Sequence, residues 1–402
     1  MSIAQSAAPM RRRRLSPRAA FYLQASMTLA FLAGSSAPTP LYAIYQAEWG
    51  FSSTMLTVAF GIYAFAVLAS LLVVGRLSDH VGRRPVLMSA AAGQAASMLI
   101  FATAGGLTDL MLGRVMQGLS AGAAIAAVGA GLLDIDKTRG ALANSIAPML
   151  GTALGGVVAG LMIQYLPAPT HLVFAVLGAV FVLQGIGVAF MDESAQPRAG
   201  ALASLKPRMS VPAAVRGPLW RATPALIAVW ALAGFYASLG PKLVHNLTGT
   251  ASILLGGVSL FALAGSGALA VLLLRAHTPK TLVRLGTSAL LAGLTIALAA
   301  LPQHSVLLFL VGTAIAGLGF GAGFQGALRT VVALIAAHER AAVLSVLFVL
   351  SYLAMGMPAI AAGYGLARQG DIVRTTVEFA ASVMTLALLA LAGTWMRESP
   401  PQ

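Results

Sequence analysis

The chain has 402 residues, of which 58% are apolar and only 9% are charged, and its formal net charge is +14. Soluble domains carry about 25% charged residues, so this composition excludes an ordinary soluble protein and indicates an integral membrane protein. The chain has no cysteine, and its basic residues are scattered between apolar runs, which excludes cysteine chemistry and predicts no nucleic-acid partner.

The first predicted element is a basic N-terminal tail, residues 1–19, which contains the run RRRRLSPR. A basic run before an apolar stretch is also typical of a secretory signal peptide, which would be removed. The uncharged stretch from Ala19 to Ala47 is too long for a signal peptide, however, and further apolar runs follow it. We therefore predict that this stretch is retained as the first membrane span.

Twelve apolar runs are long enough to cross a membrane. About 20 residues of helix span the roughly 30 Å hydrocarbon core, and a helix satisfies its own backbone polar groups. The first six spans are predicted over residues 20–46, 54–75, 86–104, 109–132, 142–166 and 170–191. The second six are predicted over residues 221–243, 251–274, 282–301, 305–333, 341–366 and 372–396.

The spans form two sets separated by a polar segment. We predict an N-terminal six-helix half over residues 20–191, a linker over 192–220 with four prolines, a C-terminal half over 221–396 and a tail over 397–402. Cytoplasmic loops hold an excess of Lys and Arg. Most of the 25 Lys and Arg residues fall on the side of the two termini. Both termini and the linker are therefore expected in the cytoplasm.

A charged loop, GRLSDHVGRRPVL, joins the second and third spans over residues 75–87. Gly75 allows close helix packing, Asp79 can accept hydrogen bonds at a helix N-terminus, and Gly82 turns the chain. Arg83 and Arg84 can reach acidic or carbonyl partners. These residues resemble the signature loop of the major facilitator superfamily, which implies that the loop latches two halves together. The alternative is a loop that only fixes topology.

The resemblance implies a fold and a mode of action. The fold is an all-α integral membrane protein of twelve transmembrane helices in two six-helix halves. The action is secondary transport by alternating access, in which the halves expose a central cavity to each side of the membrane in turn.

The fourth span contains LMLGRVMQGLSAG, residues 110–122, which is similar to a helix 4 motif of the same superfamily. Arg114 is a cation within this span and should face a wet cavity and have a partner, because a buried charge is costly. In proton-coupled relatives this arginine is tied to proton transfer, and Asp109 is its nearest acidic neighbour in sequence. Alternatively, Arg114 snorkels to the membrane surface.

The fifth span contains APMLGTALGGVVAG, residues 147–160, which looks like a degraded form of the motif that marks the antiporter branch of the superfamily. Pro148 interrupts the helical hydrogen bonds, and Gly151, Gly155 and Gly156 allow close packing of helices. The resemblance implies export in exchange for another solute. Alternatively, these small residues serve only to pack helices closely together.

Proton coupling would require a group that exchanges protons. Glu378, in the twelfth span, is the third candidate beside Asp109 and Arg114. A carboxylate buried there would have a raised pKa and could cycle protons. The spacing from Arg374 to Glu378 also fits an interfacial ion pair, which would leave facilitated diffusion open.

The central cavity should be lined by polar and aromatic residues of apolar spans, and this lining would suit a neutral or weakly charged, partly apolar molecule. The candidates for substrate binding are Gln24, Tyr42, Tyr63, Gln117, Trp230, Tyr236, Gln325 and Tyr352.

The expected function is export of small amphiphilic molecules across a bacterial cytoplasmic membrane, with protons entering in exchange. The alternative is uptake or facilitated diffusion of a sugar or another small metabolite. No catalytic residue, cofactor or metal site is predicted, because the spans contain no metal-binding or nucleophile motif. The expected partners are a small-molecule substrate, protons and the lipid bilayer, and the expected state is a monomer.

Overall fold

The computed structural model describes residues 14–249, 252–336 and 339–395, which form helices and connecting turns without a strand. Most of the predicted N-terminal tail and the predicted tail 397–402 lie outside these residues. The helices are α1 (Pro17–Ser36), α2 (Tyr42–Trp49), α3 (Ser53–Val74), α4 (Ser78–Val81), α5 (Arg83–Ala102), α6 (Leu107–Ile135), α7 (Lys137–Tyr165), α8 (Pro169–Ala189), α9 (Ala201–Ser204), α10 (Ala213–Ser238), α11 (Gly240–Thr248), α12 (Ile253–Leu273), α13 (Pro279–Ala299), α14 (Val306–Val332), α15 (Arg340–Gln369) and α16 (Ile372–Gly393).

Eleven of these helices are long and apolar enough to cross a membrane. They are α3, α5 to α8, α10 and α12 to α16. The remaining long helix, α1, has 20 residues and packs against α6, α7 and α8, which is consistent with a twelfth span. The structure confirms an all-α membrane fold.

Two predicted spans end earlier in the chain than expected. The first was predicted over residues 20–46, but α1 ends at Ser36 and the short α2 begins at Tyr42. Pro38 and Pro40 lie in the break, and proline cannot donate the hydrogen bond that continues a helix. The seventh was predicted over 221–243, but α10 ends at Ser238 and Pro241 lies in the first turn of α11. At its other end α10 begins at Ala213, inside the predicted linker.

The helices pack in two groups, which we call the N-terminal half (α1 to α8) and the C-terminal half (α10 to α16). Within the N-terminal half, α5 packs on α6 and α8, and α1 packs on α7. Within the C-terminal half, α13 and α14 are in close contact because their glycines allow the backbones to approach. The halves meet mainly along two helix pairs, α3 with α15 and α7 with α12.

The bundle has two distinct ends. One end carries α4, α9, the start of α1 and the end of α8, and we call it the linker end. The exposed side chains of Arg14 and Asp192 form an ion pair there. The other end carries α2 and α11, and we call it the far end.

Candidate functional site

Arg114 lies in α6, two turns from the far end of that helix, and its side chain is completely buried. The guanidinium Nη1 donates hydrogen bonds to the backbone oxygen of Ser35 at 2.8 Å and to Oε1 of Gln117 at 2.7 Å. Nη2 donates to the hydroxyl of Tyr42. Arg114 therefore does not reach the membrane surface, as snorkelling would require.

Aromatic rings surround the same guanidinium. Its central carbon lies 5.3 Å from the ring centre of Tyr42, 5.5 Å from that of Tyr63 and 5.8 Å from that of Phe101. Ring faces carry negative partial charge and attract a cation at such distances. Three of the predicted binding residues, Tyr42, Tyr63 and Gln117, thus form one cluster around Arg114.

The predicted acidic candidates do not join this cluster. Asp109 is half-buried in the first turn of α6, and its Oδ2 accepts a hydrogen bond of 2.9 Å from the backbone N–H of Gly105. Glu378 is exposed on α16, and its Oε1 accepts a hydrogen bond of 2.9 Å from Nε of Arg374. Among the described residues, no carboxylate forms an ion pair with Arg114.

A second aromatic cluster lies in the C-terminal half. The ring of Trp230 in α10 is 5.4 Å from that of Tyr352 in α15 and 5.6 Å from that of Phe324 in α14. Tyr352 lies on α15, which packs against α3, the helix of the N-terminal half that carries Tyr63. The two clusters therefore approach each other where α3 meets α15, and Phe324 is a member that the sequence did not indicate.

The other predicted binding residues have different surroundings. Tyr236 bonds its hydroxyl to Thr313 at 2.8 Å and stacks on Phe309, beside a small cavity of about 20 Å³ that is lined only by the C-terminal half. Gln24 is buried within the N-terminal half against Gly131. Gln325 follows Phe324 and is also buried.

Among the described residues, the hydrogen bonds that join the two halves lie at the far end. Thr39 donates to the backbone oxygen of Ala237 at 3.0 Å, Thr54 donates to that of Gly363 at 3.4 Å, Lys242 donates to Ser53 at 2.9 Å, and the N–H of Leu254 donates to Gln164 at 3.2 Å.

Close packing between the halves follows the same pattern. A Cβ at Gly363 of α15 would overlap the side chain of Thr57 of α3, and a Cβ at Gly257 of α12 would overlap the carbonyl oxygen of Gly156 of α7. These residues all lie in the parts of their helices near the far end. The far end is therefore the closed end of the interface.

At the linker end, the predicted gating loop forms a charged network. Arg83 is buried and forms ion pairs with Asp79 and, at 3.2 Å, with Asp134 at the end of α6. It also donates to the hydroxyl of Ser78 at 2.7 Å, while Arg84 donates to the backbone oxygen of Ala189 at 2.5 Å. Among the described residues, the polar partners of the loop lie in its own half and in the linker, and none lies in the C-terminal half.

Glu193 of the linker is a partner that the sequence analysis missed. Its carboxylate accepts hydrogen bonds from the backbone N–H groups of Arg83 at 2.6 Å and Arg84 at 3.0 Å, which are the first residues of α5. Asp79, which could have accepted hydrogen bonds at a helix N-terminus, pairs with the Arg83 side chain instead. Gly82 has a φ of +101°, and a Cβ there would lie 2.5 Å from Glu193, so this position requires glycine on both counts.

Around this network lies a polar cleft of about 600 Å³, which the loop and the linker form together. It is lined by Arg76, Asp79, His80, Arg83, Asp134 and residues 194–196 and 198. The linker is anchored here by further bonds. The N–H of Arg198 donates to the backbone oxygen of His80 at 2.8 Å, and Ser194 donates to Asp134 at 3.0 Å.

The predicted antiporter motif lies on two sides of α7. Gly151 and Gly155 approach the backbone of α1 so closely that a Cβ at either position would overlap it. Gly156 instead faces Leu260 of α12, in the other half. Pro148 lies inside α7, and the hydroxyl of Thr152 donates to its backbone oxygen at 3.0 Å. The motif thus connects the interior of one half to the interface between the halves.

The family model of the Major Facilitator Superfamily matches residues 25–359 of this chain. The chain belongs to this superfamily. It is therefore a multi-pass membrane transporter of a small-molecule substrate, not an enzyme, and the resemblance inferred from the loop motif is confirmed.

The similar proteins include bacterial multidrug resistance proteins. MdtL of Shigella flexneri is 28% identical over 301 residues, which make up 70% of this chain and 73% of that protein. MdtL of Klebsiella pneumoniae strain 342 is 29% identical over 160 residues, which is 38% of this chain and only 39% of the length of that protein.

Solved structures share the fold of this transporter. The nucleoside transporter NupG matches with a TM-score of 0.69 at 13% identity, covering 95% of this chain and 99% of NupG. The human organic anion transporter MFSD10 (TETRAN) matches with a TM-score of 0.66 at 17% identity, covering 95% of this chain and 99% of that one. At such identities the likeness concerns the fold alone.

Proposed function

We propose that this transporter exports small amphiphilic molecules across the cytoplasmic membrane of a bacterium by alternating access, in exchange for entering protons. The linker end and both termini face the cytoplasm, as the distribution of Lys and Arg predicts. The far end faces outward, and one chain is sufficient for transport.

The observation that carries the proposal is the position of the contacts between the halves. Alternating access requires two rigid groups of helices that close at one end while they separate at the other. Here Lys242 with Ser53 and Gly363 with Thr57 hold the far end together. The linker end of the interface has no comparable hydrogen bonds among the described residues. This arrangement is the one expected of a transporter that is ready to take its substrate from the cytoplasm.

Two features favour export over uptake. The similarity to bacterial multidrug resistance proteins covers 70% of this chain in one of them. The sequence of α7 also resembles the antiporter motif, and Gly156 lies where α7 meets the other half. A helix with small residues on two faces can slide between neighbours at low cost, as exchange between two states requires.

The gating loop would act at the linker end in the opposite state of the transport cycle, in which the far end is open. When the far end opens, the linker end must close, and the loop from Gly75 to Arg84 is then placed to contact the C-terminal half. We propose that the ion pairs of Arg83 with Asp79 and Asp134 keep the loop in one shape for this contact.

We propose that the group that couples transport to protons is one of two carboxylates, Asp109 or Glu378. An arginine guanidinium carries a full positive charge in proteins, so Arg114 is not proposed to carry protons itself. Asp109 is half-buried and Glu378 is exposed, so neither carboxylate is sealed from water. Arg114 would then act on coupling only through its charge.

The test is proton release from inverted membrane vesicles energised to an acidic lumen. A panel of amphiphilic compounds of either charge is added while a dye reports the lumenal pH. We expect some compounds to raise the lumenal pH, and we expect no response in vesicles without the protein. Absence of any response, with the protein shown to be inserted, would contradict proton-coupled export and favour uptake or uncoupled diffusion.

Two variants assign the coupling group. Asp109→Asn or Glu378→Gln should abolish proton release while the same compounds still exchange down their gradients. If both variants release protons like the unchanged protein, coupling does not use either carboxylate.

A further inference from the structure

Arg114 differs from Arg83 in how deeply its charge is buried and in the charge of its hydrogen-bond partners. Among the described residues, it is the only charged side chain that is completely buried, while Arg83 retains 8% exposure. Its hydrogen-bond acceptors are a backbone carbonyl, an amide and a hydroxyl, all of which are neutral. Arg83, in contrast, binds two carboxylates. Within the part of the chain that the structure describes, Arg114 is thus a buried cation without a counter-ion.

This charge is permanent. An arginine remains protonated in proteins, so the site cannot become neutral by losing a proton. Neutral acceptors and ring faces stabilise the cation but do not cancel its charge. In surroundings of low dielectric constant the remaining field extends over neighbouring groups far more strongly than it would in water.

The field reaches the surface between the halves. The ring of Tyr63 on α3 lies 5.5 Å from the guanidinium. Helix α3 packs against α15 of the other half, which carries Tyr352, and the ring of Tyr352 is 5.4 Å from that of Trp230. A row of aromatic rings therefore leads from the cation into the C-terminal half. Such rings suit a flat apolar molecule, because stacked and edge-to-face contacts favour aromatic partners.

Unpaired polar atoms flank this row. Nε of Arg114 and Nε1 of Trp230 are buried N–H groups without an acceptor among the described residues. Oε1 of Gln325 is also unpaired, but an amide can rotate to present a donor instead. A buried donor without a partner is costly, so the site is completed best by a ligand that brings acceptor oxygens.

We infer that the cargo is an amphiphilic organic anion, whose aromatic or otherwise flat body lies along Tyr352, Trp230 and Phe324 and whose acidic group is drawn toward Arg114. The inference rests on the proposed function and specifies its substrate class. Organic cations of the same shape are disfavoured, because they would approach an uncompensated positive charge. Arg114 thereby determines the charge of the cargo.

The test compares three probes with one aromatic body: naphthalene-2-sulfonate, naphthalene-2-sulfonamide and 2-naphthyltrimethylammonium. Binding to the purified full chain in lipid nanodiscs is measured at neutral pH, where the sulfonate is ionised. We expect the sulfonate to bind at least tenfold more tightly than the ammonium, with the sulfonamide between them. Equal or tighter binding of the ammonium would overturn the inference, and so would a failure of all three probes to bind.

Variants test whether Arg114 is responsible. Arg114→Gln should remove most of the difference between the sulfonate and the ammonium, and Arg114→Lys, which keeps the charge, should retain it. If Arg114→Gln does not fold, Trp230→Phe keeps a ring and removes one donor, and should weaken sulfonate binding severalfold without weakening that of the ammonium. Unchanged selectivity in a folded Arg114→Gln variant would contradict the inference.

The failure of this inference and that of the proposed function are distinguishable. If vesicles export the ammonium probe and not the sulfonate, export stands and the assignment of an anionic cargo is wrong. If the sulfonate binds selectively but is not exported, the charge preference stands and the proposed direction of transport is wrong.

Discussion

Glu193 in the linker accepts a hydrogen bond of 2.6 Å from the backbone N–H of Arg83, the first residue of α5. The N–H groups at a helix start have no partner within the helix, and the helix dipole favours a negative charge there. Glu193 satisfies two of these groups and so ties the linker to the gating loop. The loop and the linker should therefore behave as one unit.

We expect Glu193→Ala to destabilise the N-terminal half. Loss of a helix cap costs about 1 kcal/mol, and a carboxylate at a helix start adds up to about 1 kcal/mol more. Thermal unfolding in detergent should show a lower Tm. Gln196→Ala, an exposed linker substitution, serves as the control and should leave the Tm unchanged; an equal Tm in both variants would contradict the capping role.

Asp79→Asn should leave the protein folded and inserted but slow its transport. The substitution removes the charge that pairs with Arg83, so the loop loses part of the network that keeps its shape. Initial rates of transport in proteoliposomes measure the effect. Asp192→Asn is the matched control, because the exposed pair of Asp192 with Arg14 contributes little. Equal rates in both variants would indicate that the loop only fixes topology.

Gly363→Val should open the far end. Its Cβ would collide with Thr57 across the interface, whereas a Cβ at Gly365 of the same helix meets nothing within 4 Å. Overpacking costs about 1–3 kcal/mol, which shifts a two-state equilibrium by about fivefold to a hundredfold. Spin labels at Ala47→Cys and Asn246→Cys, in a chain without native cysteines, report the separation of α2 and α11. Gly365→Val should give the unchanged distance, and the same distance in both would argue against a tight interface.

Closure of the far end should depend on the charge of Lys242. Burial in the closed state lowers the pKa of this ammonium from its usual 10.5. In the open state the group meets water and its pKa returns toward that value. Between the two pKa values the closed state binds fewer protons, so the closed fraction should rise with pH up to about 10.5. The distance between the same spin labels measures this change.

Lys242→Met provides the control for this pH dependence. The variant has no group to titrate at this position, so its distance distribution should respond less to pH over the same range. An identical pH response in the two proteins would show that other groups control closure.

The sequence predicted the spans well because hydrophobic length is the dominant signal in a membrane. The predicted positions were wrong at two helix ends. Pro38 and Pro241 end or begin helices there, but the apolar residues continue past them, and a count of charge-free residues does not register the break. Helix ends depend on backbone hydrogen bonds, which hydrophobicity does not report.

The candidate site was predicted in part. The spacing of Arg114 and Gln117 places both on one face of a helix, and they are indeed hydrogen-bonded. Tyr236 was expected in the central cavity, but its hydroxyl forms a hydrogen bond with Thr313 inside the C-terminal half. This partner could not be predicted, because the sequence does not fix how α10 is rotated about its axis. Glu193 could not be assigned, since 110 residues separate it from Arg83.

The most direct test of the central claim locks the far end. Ser53→Cys and Lys242→Cys are joined by a short bifunctional methanethiosulfonate, and transport is followed in proteoliposomes with a compound that releases protons in the vesicle assay. The pair Lys137→Cys and Ala141→Cys, within α7, controls for the reagent. We predict that the far-end link stops transport, that reduction restores it, and that the control pair remains active. Continued transport with the far end linked would contradict alternating access through this interface.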